Sequence, residues 1–118
     1  MGLSEAVKTV LQNFANFEGR SGRAEFWYWT LAYILAYAAA TIVFSAIGMG
    51  WLVGLLGLAA LLPNLSVSMR RLHDVGKTGW WLLIGLIPVL GALVLIYFAI
   101  QPSQGPNKYG EGPLSPAA

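Results

Sequence analysis

Two stretches of the chain, residues 26–69 and 80–100, carry no charged side chain, and most of their positions are apolar. That pattern reads as membrane-spanning helix. Residues 26–47 would rise about 33 Å as an α-helix, close to a hydrocarbon core of roughly 30 Å. Residues 80–100 fit equally well. Between them, residues 51–69 are weaker, because the apolar run ends at Leu62 and Pro63, Asn64, Ser66 and Ser68 follow. The segment is still just long enough to cross. Gly48-Met49-Gly50 supplies a short hinge between the first two spans, with two glycines that tolerate positive φ.

Ahead of the first span, Val7, Val10, Leu11, Phe14 and Phe17 recur at spacings of three and four, with Glu5, Lys8, Gln12, Asn13 and Asn16 elsewhere. Residues 4–17 therefore form an amphipathic helix, with Ser4 as its cap and Glu5 in a first turn where the helix dipole favours an acid. Its apolar face rests in the membrane interface or on the helical bundle. After the last span, Pro102, Pro106, Pro113 and Pro116 with several glycines make residues 101–118 an irregular aqueous tail. The expectation is an all-α integral membrane protein, a single membrane domain with three transmembrane helices and no internal repeat.

Charge sets the orientation. Lys8, Arg20 and Arg23 precede the first span, Arg70, Arg71 and Lys77 lie between the second and third, and the hinge has none. Three crossings put these six on one side, whereas a re-entrant middle segment would divide them. Basic residues near span ends are retained in the cytoplasm, so the N-terminus is expected inside and the C-terminus in the periplasm, with Lys108 and Glu111 beyond. A cleaved leader ending at Ala38-Ala39-Ala40 fits less well, because the apolar run continues through Ile42, Val43 and Phe44.

Composition agrees: 57% of the 118 residues are apolar and only 10% are charged. A formal charge of +2 in two short basic groups makes a nucleic-acid partner a poor fit. There is no cysteine and one histidine, so thiol chemistry is excluded and neither a metal site nor a cofactor is expected. The opening Met1-Gly2-Leu3-Ser4-Glu5-Ala6 lacks the Ser or Thr of a myristoylation signal at Ala6.

Two polar groups hold what chemistry the chain offers. Glu18, Arg20, Arg23 and Glu25 precede Trp27, Tyr28 and Trp29, which form an interfacial aromatic belt. Arg70, Arg71, His73 and Asp74 precede Gly76, Gly79, Trp80 and Trp81. On a helix, Asp74 is within reach of Arg70 or Arg71, while His73 points to another face. In the expected topology the groups share a compartment, so Glu25 can reach Arg70 or Arg71, and Asp74 can reach Arg23. Such a network would lock the helices in register. Alternatively Arg20, Arg23, Glu25, Arg70, Arg71, His73 and Asp74 form a site for a lipid phosphate or an acidic partner, since arginine grips phosphate bidentately. No nucleophile accompanies His73 and Asp74, so no catalytic set is assigned. Ala32, Ala36 and Ala40, and Gly50 with Gly54, are small-residue packing surfaces, whereas Pro63, and Pro88 with Gly91, should kink or weaken their helices. No acid or base lies inside a span, which argues against an ion pathway through one copy.

The run Phe17-x-Gly19-Arg20-x-x-Arg23-x-Glu25-Phe26-Trp27, Pro63 ahead of Arg70-Arg71-Leu72-His73-Asp74, Gly79-Trp80-Trp81, Pro88-x-x-Gly91, and Gly105-x-Asn107-x-Tyr109-Gly110-x-x-Pro113 resemble the domain-of-unknown-function 805 family of small bacterial inner-membrane proteins. The resemblance covers about residues 14–113, with no departure from the pattern. It implies a multi-pass protein of the bacterial inner membrane, places weight on the arginine groups and the Asn107-Lys108-Tyr109-Gly110 tail, and supplies no activity. The expected role is a non-enzymatic one: interaction with anionic phospholipid, with a larger membrane-protein partner, or by self-association. A small oligomeric transport or export component is the alternative, and a lipid-headgroup enzyme using His73 and Asp74 comes third.

Overall fold

A computed structural model describes residues 2–113. Its elements are all helical: α1 (Leu3–Gln12), α2 (Arg23–Ala46), α3 (Trp51–Asp74), a 3₁₀ helix (Gly79–Leu86) and α4 (Leu90–Ile100). The last part of the anticipated tail, 114–118, lies outside the described residues.

α2 and α3 have 24 residues each and are long and apolar enough to cross a membrane. Their outer faces expose Leu31, Ile34, Leu35, Ile42, Val43, Leu55, Leu58 and Leu61. In water so large an apolar surface would be untenable, whereas hydrocarbon is its natural solvent. The chain reverses between them at Gly48, whose φ of +76° suits glycine, and the Met49 N–H closes the turn on the Phe44 carbonyl at 2.7 Å.

α3 continues past the anticipated end at residue 69 and absorbs Arg70 to Asp74, with Pro63 inside the helix rather than ending it. It stops at Gly76, φ +78°, where the Gly76 and Lys77 N–H groups bond the His73 and Leu72 carbonyls at 3.0 and 2.8 Å. These are the paired bonds of a Schellman stop. The consequence is that the second polar group is held rigidly on helix, not on loop.

α1 is shorter than the expected 4–17. It begins after Gly2, with no side-chain cap, so Ser4 does not play that part. It ends at Gln12 because Asn13 and Asn16 turn their amides to local partners: Asn13 Nδ2 bonds the Thr9 carbonyl, and Asn16 Nδ2 bonds Asn13 Oδ1. Ala6 and Val10 are fully buried, and Val10 packs with Trp29 of α2 and Val67 of α3, while Leu3, Leu11 and Phe14 stay exposed. One edge of the apolar face thus packs on the bundle and the other remains available to the interface.

The structure departs most from expectation over residues 79–100. A single third helix is replaced by two arms. The 3₁₀ arm of 8 residues rises about 16 Å and α4, with 11 residues, rises about 17 Å, each roughly half of a hydrocarbon core. Between them Leu90 N–H bonds the Pro88 carbonyl at 2.7 Å around Val89, at φ +63° and ψ −63°, a strained γ-turn. The arms then touch backbone to backbone: a Cβ on Gly91 would stand 1.8 Å from the Ile84 carbonyl oxygen. Pro88 breaks the helix, and Gly91 permits the close return. The chain after α4 therefore comes back to the end of the molecule that holds the start of α2 and the end of α3. Gln104 N–H, for example, bonds the Asp74 carbonyl at 2.9 Å. The expectation of one continuous helix over 80–100 is corrected by this hairpin geometry.

Candidate functional site

At that common end the loop before α2, the last turn of α3 and the tail converge on Asp74. Its Oδ1 accepts from Arg20 Nε at 2.9 Å and its Oδ2 from Arg71 Nη1 at 2.6 Å. Ser103 Oγ donates to the same Oδ2. A second pair, Arg70 Nη1 with Glu25 Oε2 at 2.6 Å, joins α3 to the first turn of α2. All five charged groups are buried.

Three guanidiniums face only two carboxylates, and backbone carbonyls supply the remaining acceptors. Arg20 Nη1 donates to Gly105 O and Gly110 O, each at 3.0 Å, and its Nη2 to Asp74 O and Gln104 O. Arg71 donates to Ala99 O at 3.1 Å, to Ser21 O at 3.3 Å and to Gln101 O. The two arginines thus read the backbone of a tail that has no regular structure of its own. Arg70 is less well supplied: its Nε and Nη2, with Glu25 Oε1 and Ser21 Oγ, have no partner among the described residues.

His73 leaves α3 on another face, as the helix phase requires. Its Nδ1 lies 3.0 Å from the Gly19 carbonyl, a contact that assigns the proton to that nitrogen, and its ring stacks on Tyr109 at 4.1 Å between centroids. Tyr109 is presented by a tight turn in which Asn107 and Gly110 pair and Asn107 Oδ1 accepts the Tyr109 N–H at 2.9 Å. Asn107 Nδ2 also donates to the His73 carbonyl at 3.1 Å.

The structure therefore brings together Arg20, Glu25, Arg70, Arg71, His73 and Asp74, and leaves Arg23 apart. Arg23 is exposed, makes no ion pair among the described residues, and has one long contact, Nη1 to Ile100 O at 3.5 Å. Asp74 takes Arg20 and Arg71 rather than Arg23 or Arg70, because Arg70 is turned toward Glu25. Sequence reasoning missed Ser103 and Gln104 altogether. The available signal was the Gly105-x-Asn107-x-Tyr109-Gly110 spacing, which marks a built turn in an otherwise irregular tail. Among the described residues no cluster of acids and histidine can hold a metal ion.

These same positions carry a family relationship. The family model described as "Protein of unknown function (DUF805)" matches residues 14–111. The chain belongs to the DUF805 family. It is 36% identical over 108 residues to inner membrane protein YhaI of Escherichia coli (strain K12), covering 89% of this chain and 92% of that protein. It is 34% identical over 111 residues to inner membrane protein YhaH of the same strain, covering 88% and 92%. A third relative, uncharacterized protein YiiR, is 31% identical over 133 residues, covering 87% and 89%. No solved structure matches the chain. As a DUF805 protein with two long apolar helices, it is a membrane protein whose relatives have no assigned activity.

Proposed function

We propose that this DUF805 protein is a non-catalytic inner-membrane protein with both ends in the cytoplasm, acting by interaction with anionic phospholipid of the cytoplasmic leaflet. The observation that carries the reading is the convergence on Asp74. With loop, helix end and tail at one end, Arg20, Arg23, Arg70, Arg71, Lys77 and Lys108 lie there, and the 47–50 hinge has no Lys or Arg. The positive-inside rule is then obeyed without the exception that a third crossing requires. α2 and α3 cross, and the arms 79–86 and 90–100 dip into one leaflet.

Exposed Arg23 and Lys108 give that end a basic surface of the kind attracted to anionic headgroups. Arg20, Arg70 and Arg71 serve instead as internal fasteners. A headgroup enzyme gains no support, since His73 is engaged by Gly19 and Tyr109 while Asp74 is engaged by two arginines and Ser103. The interrupted third segment favours a second reading, an oligomeric transport component, because broken helices line paths in many transporters.

Native mass spectrometry of protein extracted in mild detergent tests the first reading. Phosphatidylglycerol retained in preference to phosphatidylethanolamine supports it, and retention in proportion to bulk lipid overturns it. A defined oligomer without retained lipid would favour the transport reading.

A further inference from the structure

Between the spanning hairpin and the two short arms lies an apolar cavity of about 380 Å³. Its walls come from four elements: Phe26 and Trp27 of α2, Leu72 of α3, Leu82 of the 3₁₀ helix, and Leu95 and Ile96 of α4. Its size falls within the roughly 300–1,000 Å³ of small-molecule pockets. Arg71 also touches it, but its guanidinium is committed to Asp74 and to backbone carbonyls, so it brings no free charge.

The free charge stands at the rim. Arg23 lies three and four positions before Phe26 and Trp27, hence on the same side of α2, and its Nη1 is 3.5 Å from the carbonyl of Ile100. Ile100 follows Ala99, which is itself part of the wall. The Trp27 indole donates to Ala99 O at 3.0 Å and so fixes the wall rather than reaching a ligand. An exposed guanidinium without an ion pair among the described residues thus overlooks an apolar slot.

We infer that the cavity and Arg23 form a specific site for one anionic phospholipid of the cytoplasmic leaflet, with an acyl chain in the cavity and the phosphate on the Arg23 guanidinium. This deepens, and rests on, the lipid reading above. The occupant is argued from depth and charge. The arms bounding the slot rise about 16 Å, one leaflet's share of a roughly 30 Å core, so the slot matches one acyl chain rather than a spanning partner helix. At its cytoplasmic rim, an arginine with free donors complements a phosphodiester bidentately, and a zwitterionic or uncharged neighbour offers less.

The wild-type protein in nanodiscs containing phosphatidylglycerol with a diazirine in one acyl chain provides the first arm of the test. Photo-crosslinks concentrated on Leu82, Leu95 and Ile96, above those on outward-facing Ile34 and Leu58, are expected; even labelling of both sets would overturn the site. The second arm is native mass spectrometry of variants with unchanged melting temperature. Arg23→Gln, and Leu82→Trp to fill the slot, should each weaken phosphatidylglycerol retention about tenfold. Lys77→Gln, a cation set instead over the Trp81 and Phe98 rings, should leave retention unchanged. If the wild type prefers phosphatidylglycerol but neither Arg23→Gln nor Leu82→Trp alters it, the site is wrong and the broader reading survives. If the wild type shows no preference, the broader reading falls and the site falls with it.

Discussion

Arg20 and Asp74 stand 54 positions apart and meet through a 2.9 Å bond with both side chains fully buried. Arg20 belongs to the loop that enters α2, and Asp74 is the last residue of α3. Their pairing closes the spanning hairpin at its charged end. Because Arg20 also holds the Gln104, Gly105 and Gly110 carbonyls, the same guanidinium ties down the tail.

Asp74→Asn should be among the most destabilising polar substitutions in the chain. It would leave Arg20 and Arg71 buried without their carboxylate, at a cost of about 3–5 kcal/mol. Arg23→Ala removes an exposed arginine with no ion pair among the described residues and should change stability by less than about 0.5 kcal/mol. Unfolding in a denaturing-detergent titration, read by tryptophan fluorescence, checks both; equal costs would mean the buried pairs do not fasten the fold.

Topology can be read with single cysteines, since the native chain has none. A membrane-impermeant maleimide applied to intact spheroplasts should label Met49→Cys and spare Lys108→Cys until the membrane is opened. Labelling of Lys108→Cys from outside would restore a third crossing.

The tip of the folded-back hairpin between the 3₁₀ helix and α4 gives a pair of opposite expectations. Gly91→Ala drives a methyl against the Ile84 carbonyl and should lower the melting temperature sharply or abolish insertion. Val89→Gly relieves a β-branched residue at φ +63° and should stabilise by about 1 kcal/mol, measured by the same detergent titration. A destabilising Val89→Gly would show that the turn is not strained.

Much of this protein is legible in its sequence, for reasons that are local. Long uncharged runs identify α2 and α3, because the desolvation of each residue in hydrocarbon depends on that residue alone. The glycine hinge at Gly48 follows from backbone conformation, and the amphipathic face of α1 from periodicity. The pairing of Glu25 with Arg70 was within reach as one of two options, since both flank the same ends of the spans.

Only the tertiary structure decided the rest. Residues 80–100 have the length and hydropathy of a crossing whether they run straight or fold back at Pro88, and those measures do not depend on direction. What selects the folded-back form is contact between distant parts: Gly91 against Ile84, and tail carbonyls against Arg20. Likewise the separation of Arg23 from Arg20, three positions apart, comes from the helix start between them, which turns one side chain inward to Asp74 and leaves the other facing out. Sequence sets which residues tolerate lipid or need a partner; the partner itself is fixed by which chain ends the fold brings together.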